Sequence, residues 1–133
     1  MSLRSILLRA YFSQRERAID TFRRHPVETQ ARMFRQLLRR GRRTEFGWRY
    51  NLGRIRTPEQ FASMVETFDY DTFKPYIERM LAGESDVTAP GRVTLFARSS
   101  GTTSDRSKYI PVTRESLWWN HTLGMRDVAT VFA

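Results

Sequence analysis

The chain has 133 residues, which is enough for one domain with a modest hydrophobic core. It contains no cysteine, which excludes a disulfide, a thiolate nucleophile and a cysteine-ligated zinc site, so we expect a reducing, cytoplasmic location. The formal net charge is +9, and no apolar run approaches the length of a membrane span, so we expect no membrane partner.

The positive charge is concentrated in the first part of the chain. Residues 1–56 hold 15 arginines and four acidic residues, whereas residues 57–133 hold eight basic and ten acidic residues. One interpretation is a basic module that binds nucleic acid or an anionic surface without catalysis. The other is a set of solvated helix faces, because 21 of the 23 basic residues are arginine, as in proteins from GC-rich genomes. We favour the second interpretation and expect no specific nucleic-acid partner.

Residues 1–56 are predicted to form an arginine-rich helical hairpin followed by a turn. Apolar residues within positions 3–24 recur at three- and four-residue steps, which indicates a helix that ends before Pro26. A second helix is predicted from Pro26 to about Arg40, with Gly41 as its stop. Thr44–Trp48 is predicted to be a short turn. The side chains expected to be buried in this region are Val27, Ala31, Met33, Phe34, Leu37, Leu38, Phe46 and Trp48.

Several arginines lie close together at the end of the second predicted helix. Positive charge at a helix C-terminus complements the helix dipole, and this structural role is the interpretation that we favour. A role in contacting phosphate is the alternative. The residues of this cluster are Arg39, Arg40, Arg42 and Arg43.

Residues 57–92 are predicted to contain two short helices and a loop. Thr57, Pro58 and Gln60 form a capping-box pattern, with threonine as the N-cap and proline at the first helical position. This pattern predicts where the first of the two helices begins. The side chains expected to point inward from that helix are Phe61, Met64 and Val65.

The second of these helices is predicted over about residues 72–82. Asp71 is expected to cap it through its side-chain oxygen, and a metal-binding pair with Asp69 is the alternative. Gly83 is expected to end it. The buried stripe is predicted to be Phe73, Tyr76, Ile77, Met80 and Leu81, with Lys74 and Arg79 in water.

A hydroxyl-rich loop between two short strands is the most distinctive segment. Val93–Ala97 and Tyr109–Val112 are rich in β-branched and aromatic residues, as strands are. We expect the loop between them to bend at Gly101, and Lys108 follows it. Inward backbone N–H groups, hydroxyl donors and a compact positive charge together suit a polyphosphate. The alternative is an ordinary Ser/Thr-rich hairpin loop. The hydroxyl residues are Ser99, Ser100, Thr102, Thr103 and Ser104.

Residues 114–133 are predicted to form a helix capped by Thr113. One ring of Trp118 and Trp119 is expected to be buried and the other partly exposed, and stacking on a base or an acyl group is the alternative. The apolar pattern continues to the last residue without a capping residue. We therefore expect the N-terminal piece of a longer protein, with an apolar face through which the piece self-associates.

Three blocks of sequence resemble one known family. Phe96–Thr103 followed by Ser107–Thr113 closely resembles the ATP-phosphate loop of the acyl-acid amido synthetases. These are the auxin-conjugating Gretchen Hagen family and its bacterial relatives, among the acyl-adenylating enzymes. The resemblance continues in Tyr70–Met80 with Gly83–Glu84, and further upstream in Thr44–Gly47.

The resemblance implies that the loop holds the phosphates of ATP, with magnesium bound to the nucleotide and no metal ligand identified in this chain. Gly101 would permit the turn, and Lys108 would neutralise charge building on the departing pyrophosphate. Family members often carry glycine where this chain has Ser104 or Asp105, which makes the loop stiffer and more negative here. The residues assigned to nucleotide binding are Ser99, Ser100, Gly101, Thr102, Thr103, Ser104 and Lys108.

The resemblance also implies an activity and a fold class. The activity is ATP-dependent adenylation of a small carboxylic acid, followed by transfer of the acyl group to an amine or amino acid. The fold class is α/β for the whole protein and α+β in this chain, whose helices lead into the first strands of a larger domain. Residues 1–133 would be the N-terminal part of that adenylation domain and are expected to be inactive alone.

Overall fold

The computed structural model describes residues 3–99 and 107–131, with the side chains of residues 10–99 and 107–130. The described residues group into two compact units. One contains residues up to Arg32 together with those from Arg114, and the other contains Met33–Thr113. The structure is mostly helical with one antiparallel hairpin. The predicted helices and the predicted pair of strands are thus both observed, whereas the phosphate loop between the strands and the larger α/β sheet stay predictions.

The first unit is built on packing between the first and last helices of the described chain. Its elements are α1 (Leu3–Arg24), the first part of α2 (Pro26–Gly41), α6 (Arg114–Ser116), a π-helical segment (Leu117–Thr122) and α7 (Leu123–Val131). Arg15 on α1 donates two hydrogen bonds to the carboxylate of Asp127, at 2.7 and 2.8 Å. The guanidinium of Arg126 lies 4.1 Å from the ring centre of Tyr11. Both contacts therefore hold α7 against α1.

The C-terminal helical segment begins at Arg114, as predicted, but the π-helical turn was not foreseen. Trp118 and Trp119 are 50% and 42% exposed, so the prediction of one buried ring is wrong. A π-helical turn inserts an extra residue and shifts the apolar periodicity, and the buried side chain here is Leu123. The apolar face of α7 is exposed, and self-association through it stays a prediction. None of the described helices is long and apolar enough to cross a membrane.

The observed boundaries of α1 and α2 agree with the predicted ones, but the buried face of α2 is narrower than predicted. Phe34 and Leu38, four residues apart, pack into the core of the second unit. Leu37 is 61% exposed, because the core meets the helix along the line of Phe34 and Leu38. Val27 and Met33 are also exposed, so their predicted burial is wrong.

The second unit contains two adjoining hydrophobic clusters. Its remaining elements are α3 (Glu45–Arg49), α4 (Pro58–Met64), α5 (Tyr70–Leu81), β1 (Leu95–Arg98) and β2 (Tyr109–Val112). One cluster is centred on Leu38, Tyr50, Leu52 and Ile55, and the other on Tyr76, Ile77, Met80, Val87 and Val93. Phe46 and Phe68 pack against both clusters. The ring centre of Phe46 lies 4.6 Å from that of Tyr50 and 5.9 Å from that of Tyr76. Phe46 therefore joins the two parts of the core.

The segment predicted to be a turn at Thr44–Trp48 is the start of a helix. Thr44 is fully buried, and its hydroxyl accepts a hydrogen bond from the backbone N–H of Gly47 at 3.0 Å and donates to the Gly41 carbonyl at 2.7 Å. Trp48 points away from the core and is 75% exposed, so its predicted burial is wrong. A helix of five residues can bury only one face, and in α3 that face carries Phe46.

Both α4 and α5 are capped by a polar side chain, as predicted, but some of the capping residues differ from those predicted. The Thr57 hydroxyl accepts from the Gln60 N–H at 3.3 Å, as predicted, whereas the Gln60 side chain reaches one residue further back, to the N–H of Arg56. Asp69 caps α5, not Asp71. The Asp69 carboxylate accepts from the Thr72 N–H at 2.8 Å, and the Thr72 hydroxyl accepts from the Asp69 N–H at 3.1 Å. This reciprocal pair makes the helix begin at Tyr70.

Burial on α4 and α5 departs from prediction at two positions. Met64 and Leu81 are exposed, because each lies at the last residue of its helix, where the core ends. Arg79, which was expected to stay in water, is partly exposed, and its guanidinium also pairs with the carboxylates of Glu45 and Glu84. Arg79 therefore joins α5 to α3 and to the turn that follows α5.

Candidate functional site

The two strands place the ends of the hydroxyl-rich loop side by side. Arg98 of β1 pairs with Tyr109 of β2 in an antiparallel register. Beyond this pair, the backbone N–H of Ser99 donates to the carbonyl of Lys108 at 3.0 Å, and the N–H of Lys108 donates to the Ser99 hydroxyl oxygen at 3.1 Å. Ser99 and Lys108 therefore close the hairpin at the point where the loop leaves the strands. The strand predicted at Val93–Ala97 is observed at Leu95–Arg98.

Two of the predicted site residues are described by the structure and five are not. Ser99 and Lys108 are half-buried and face each other across the hairpin. The other residues assigned to nucleotide binding, Ser100, Gly101, Thr102, Thr103 and Ser104, lie outside the described residues. Their roles stay predictions.

Tyr70, the first residue of α5, is a site residue that the sequence interpretation missed. Its hydroxyl oxygen accepts a hydrogen bond from the backbone N–H of Tyr109 at 2.9 Å. The Nζ atom of Lys108 lies 5.3 Å from the centre of its ring, within the range of a cation–π contact. The helix was predicted over about residues 72–82, so Tyr70 fell just before its predicted start. Its place at the start of the Tyr70–Met80 block was the available signal.

Asp69 adds a negative charge beside this group. The pKa of its carboxyl is lowered, first because the backbone N–H and the hydroxyl of Thr72 donate hydrogen bonds to it, and to a smaller extent because of the positive charge of Lys108. The carboxylate is therefore ionised at neutral pH. The Asp69 carboxylate is engaged in capping α5, and among the described residues no group of three or more metal-ligating side chains is found.

The hairpin end presents hydrogen-bond donors and one positive charge from two described residues. Lys108 supplies an ammonium group with three donors, and the Ser99 hydroxyl oxygen, which accepts from Lys108, also carries a proton that it can donate. Tyr70 holds the start of α5 against the same end of the hairpin. The donor set of the described residues thus fits one end of a phosphate chain.

Comparison with known proteins gives a consistent match to one family. A family model described as "GH3 family N-terminal domain" matches residues 15–131. The indole-3-acetic acid-amido synthetase GH3.2 of Arabidopsis thaliana is 30% identical over 100 residues, which cover 74% of this chain and 18% of that protein. The indole-3-acetic acid-amido synthetase GH3.4 of the same plant is 28% identical over 107 residues, covering 80% of this chain and 18% of that protein.

A shorter match has a higher sequence identity. The indole-3-acetic acid-amido synthetase GH3.10 of Arabidopsis thaliana is 40% identical over 57 residues, which cover 42% of this chain and 10% of that protein. The chain thus spans less than a fifth of the length of the relatives that it matches.

Proposed function

The chain belongs to the GH3 family of acyl-acid amido synthetases, and from this membership we propose that it is the N-terminal segment of an ATP-dependent amide-forming ligase. The whole enzyme would adenylate a small carboxylic acid and transfer the acyl group to an amine or amino acid. The absence of cysteine supports work in a reducing compartment such as the cytoplasm.

In this proposal the hairpin end binds the phosphates of ATP. Bound ATP, carried with magnesium, supplies the adenylyl group that activates the acid. Lys108 places a positive charge where negative charge builds on the departing pyrophosphate. Ser99 fixes the position of Lys108 through the hydrogen bond from the Lys108 N–H to its hydroxyl oxygen. Gly101 and the hydroxyl residues Ser100, Thr102, Thr103 and Ser104 are proposed to surround the phosphates.

Tyr70 has a positioning role in the same proposal. Its hydroxyl fixes the first residue of β2, and its ring lies beside the Lys108 ammonium group. Because α5 is held in the core by Tyr76, Ile77 and Met80, the ammonium group is tied to a rigid element. A pre-positioned charge costs no reorganisation at the moment of reaction.

One observation carries this proposal: the family match over residues 15–131 spans the hairpin whose ends Ser99 and Lys108 close. The test is ATP–pyrophosphate exchange by the full reading frame that contains this chain, assayed against a panel of aromatic and aliphatic carboxylic acids. We expect exchange that depends on one class of acid, and amide formation when amino acids are added. Exchange that is absent with every acid, in a protein shown to be folded, would contradict the proposal.

A further inference from the structure

We propose that a pocket in the second unit, separate from the hairpin, binds a small, multiply charged phosphate anion such as pyrophosphate. The pocket has a volume of about 260 Å³. Four arginines line it: Arg35, Arg39, Arg42 and Arg56. None of the residues that line it belongs to the β1–β2 hairpin, so the inference stands independently of the proposed function.

The helix geometry explains why these arginines converge. Arg35 and Arg39 lie one turn apart near the end of α2, and Arg42 follows directly after the helix, with its backbone N–H still bonded to the Leu38 carbonyl, so all three line the same side. Arg56 reaches the pocket from the loop that precedes α4. The floor between them is apolar and buried, formed by Leu38, Leu52 and Ile55. The pocket is therefore a cationic rim over a hydrophobic base.

One of the four guanidinium groups is held in place and three are available. Arg56 donates to the carbonyls of Gly53 and Ile55, at 2.7 and 2.9 Å, which fixes its direction. Within the part of the chain that the structure describes, the side chains of Arg35, Arg39 and Arg42 make no hydrogen bond or ion pair. No carboxylate of a described residue lines the pocket. Its four positive charges are thus not balanced by any side chain that lines it.

The charge and the size of the pocket select the kind of ligand. Four arginines are all charged at neutral pH, and a single carboxylate would balance one of them. Pyrophosphate carries several negative charges and many acceptor oxygens, and guanidinium groups bind phosphate oxygens in pairs. Drug-sized ligands occupy pockets of about 300–1,000 Å³, so this smaller volume suits a compact anion better than a nucleotide. The phosphate-contacting role left open for Arg39 and Arg42 is therefore the one that we adopt.

The experiment is calorimetric titration of the 133-residue chain with sodium pyrophosphate, at low ionic strength and without magnesium. The test variant is Arg39→Gln/Arg42→Gln, since glutamine removes the charge and keeps helix propensity. The charge-matched control is Arg23→Gln/Arg24→Gln on α1, whose arginines pair with Asp20 instead. A third variant, Lys108→Ala, removes the ammonium group of the hairpin. Circular dichroism checks that each variant is folded.

We expect binding that is weakened at least about tenfold in the test variant and less than about twofold in the charge-matched arginine control. If the test variant does not fold, Arg39→Lys/Arg42→Lys keeps the charge and loses the paired geometry, and we expect a loss of about threefold or more. Three outcomes would overturn the proposal: no binding by the wild-type chain, equal weakening in the two arginine variants, or loss confined to Lys108→Ala. The last outcome would place pyrophosphate at the hairpin and would leave the proposed function intact.

Discussion

The backbone N–H of Tyr109 donates a hydrogen bond to the hydroxyl oxygen of Tyr70, 39 residues earlier, at 2.9 Å. This bond ties the first residue of β2 to the first residue of α5. Both residues lie within the segments that resemble the amido synthetases, and Lys108 lies beside them. The helix therefore sets the position of the hairpin end, where the predicted phosphate loop begins and ends.

Tyr70→Phe tests this connection. The variant keeps the ring beside Lys108 and removes the acceptor for the Tyr109 N–H, so we expect a loss of about 0.5–1 kcal/mol in the free energy of unfolding. The measurement is urea unfolding of the 133-residue chain followed by circular dichroism. Tyr11→Phe is the matched control, because no hydrogen bond of the Tyr11 hydroxyl is found among the described residues, and we expect no measurable change. Equal effects in the two variants would show that the bond does not hold the hairpin.

Gly47→Ala is expected to destabilise the second unit strongly. A Cβ atom at this position would lie 2.0 Å from the Gly41 carbonyl oxygen and 2.8 Å from the Arg42 Cα, both backbone atoms that cannot move aside cheaply. Overpacking of this kind costs about 1–3 kcal/mol or more. Thermal and urea unfolding measure the loss.

Gly124→Ala is the matched control for that substitution. Gly124 is also helical, in α7, but a Cβ atom there meets nothing within 4 Å. Because alanine favours the helix over glycine by about 1 kcal/mol, we expect this variant to be neutral or stabilised. If both variants shifted stability in the same direction by similar amounts, the close approach of Gly47 to Gly41 would not be the cause.

The Glu45–Arg79–Glu84 cluster predicts a loss of stability in acid. Hydrogen bonds from Arg79 are the main cause of a lowered pKa in both carboxyl groups, whose ordinary pKa is 4.5. Because the folded-state pKa is below the unfolded one, this contribution is present above the unfolded pKa and is lost as the pH falls through the folded pKa. All three side chains are partly exposed, so we expect salt to reduce the effect.

The measurement is urea stability from about pH 6 to pH 3 for the wild type and for Glu45→Gln/Glu84→Gln. The wild type should lose stability more steeply on acidification than the double variant, and high salt should narrow the difference. Glu78→Gln is the control, since Glu78 pairs with Lys74 across one turn of α5 at 3.4 Å. Parallel pH profiles for the wild type and the double variant would contradict the role of the cluster.

The sequence predicted local structure well where a signal acts within a few residues. Pro26, Gly41 and Gly83 were predicted to mark helix boundaries, and the helices begin and end at or close to these residues. Burial was predicted less well. Leu37 and Trp48 are apolar and were predicted to be buried, yet both are exposed, because the line along which the core meets a helix depends on tertiary packing.

The candidate site residues were named from the sequence, but the contacts that hold them in place were not predicted from it. Ser99 and Lys108 were found from the motif, whereas Tyr70 was missed because its partner lies 39 residues away. The Asp69 cap was placed two residues too late, since Asp71 satisfies the same side-chain preference and the reciprocal bonds with Thr72 decide between them. Resemblance to a family suggested the site, which stays a prediction, and the long-range contact of Tyr70 with Tyr109 then added Tyr70 to it.

The 133-residue chain alone is expected to bind ATP weakly and to turn over no substrate. The chain spans 18% of the length of two of its amido synthetase relatives, so we expect most of the contacts to the nucleotide to come from elsewhere in the whole enzyme. A site that lacks most of the contacts to a nucleotide loses the corresponding binding energy. Calorimetric titration with magnesium–ATP measures the affinity, and a tight complex would show that this segment contains a complete nucleotide site.

Lys108→Ala in the full-length protein is the sharpest test of the catalytic proposal. Removal of a charge aimed at the departing pyrophosphate should lower the rate of ATP–pyrophosphate exchange by about 10²–10³-fold. In the folded chain the ammonium group lies beside the Tyr70 ring, an interaction worth about 1 kcal/mol, so the free energy of unfolding should change little. Lys74→Ala is the matched control, because Lys74 is the other lysine of the chain and pairs with Glu78 on the surface of α5. Exchange at the wild-type rate in Lys108→Ala would show that Lys108 has no role in the mechanism. Equal losses of rate in both variants would show that the loss comes from the lower net charge of the protein and not from the position of Lys108.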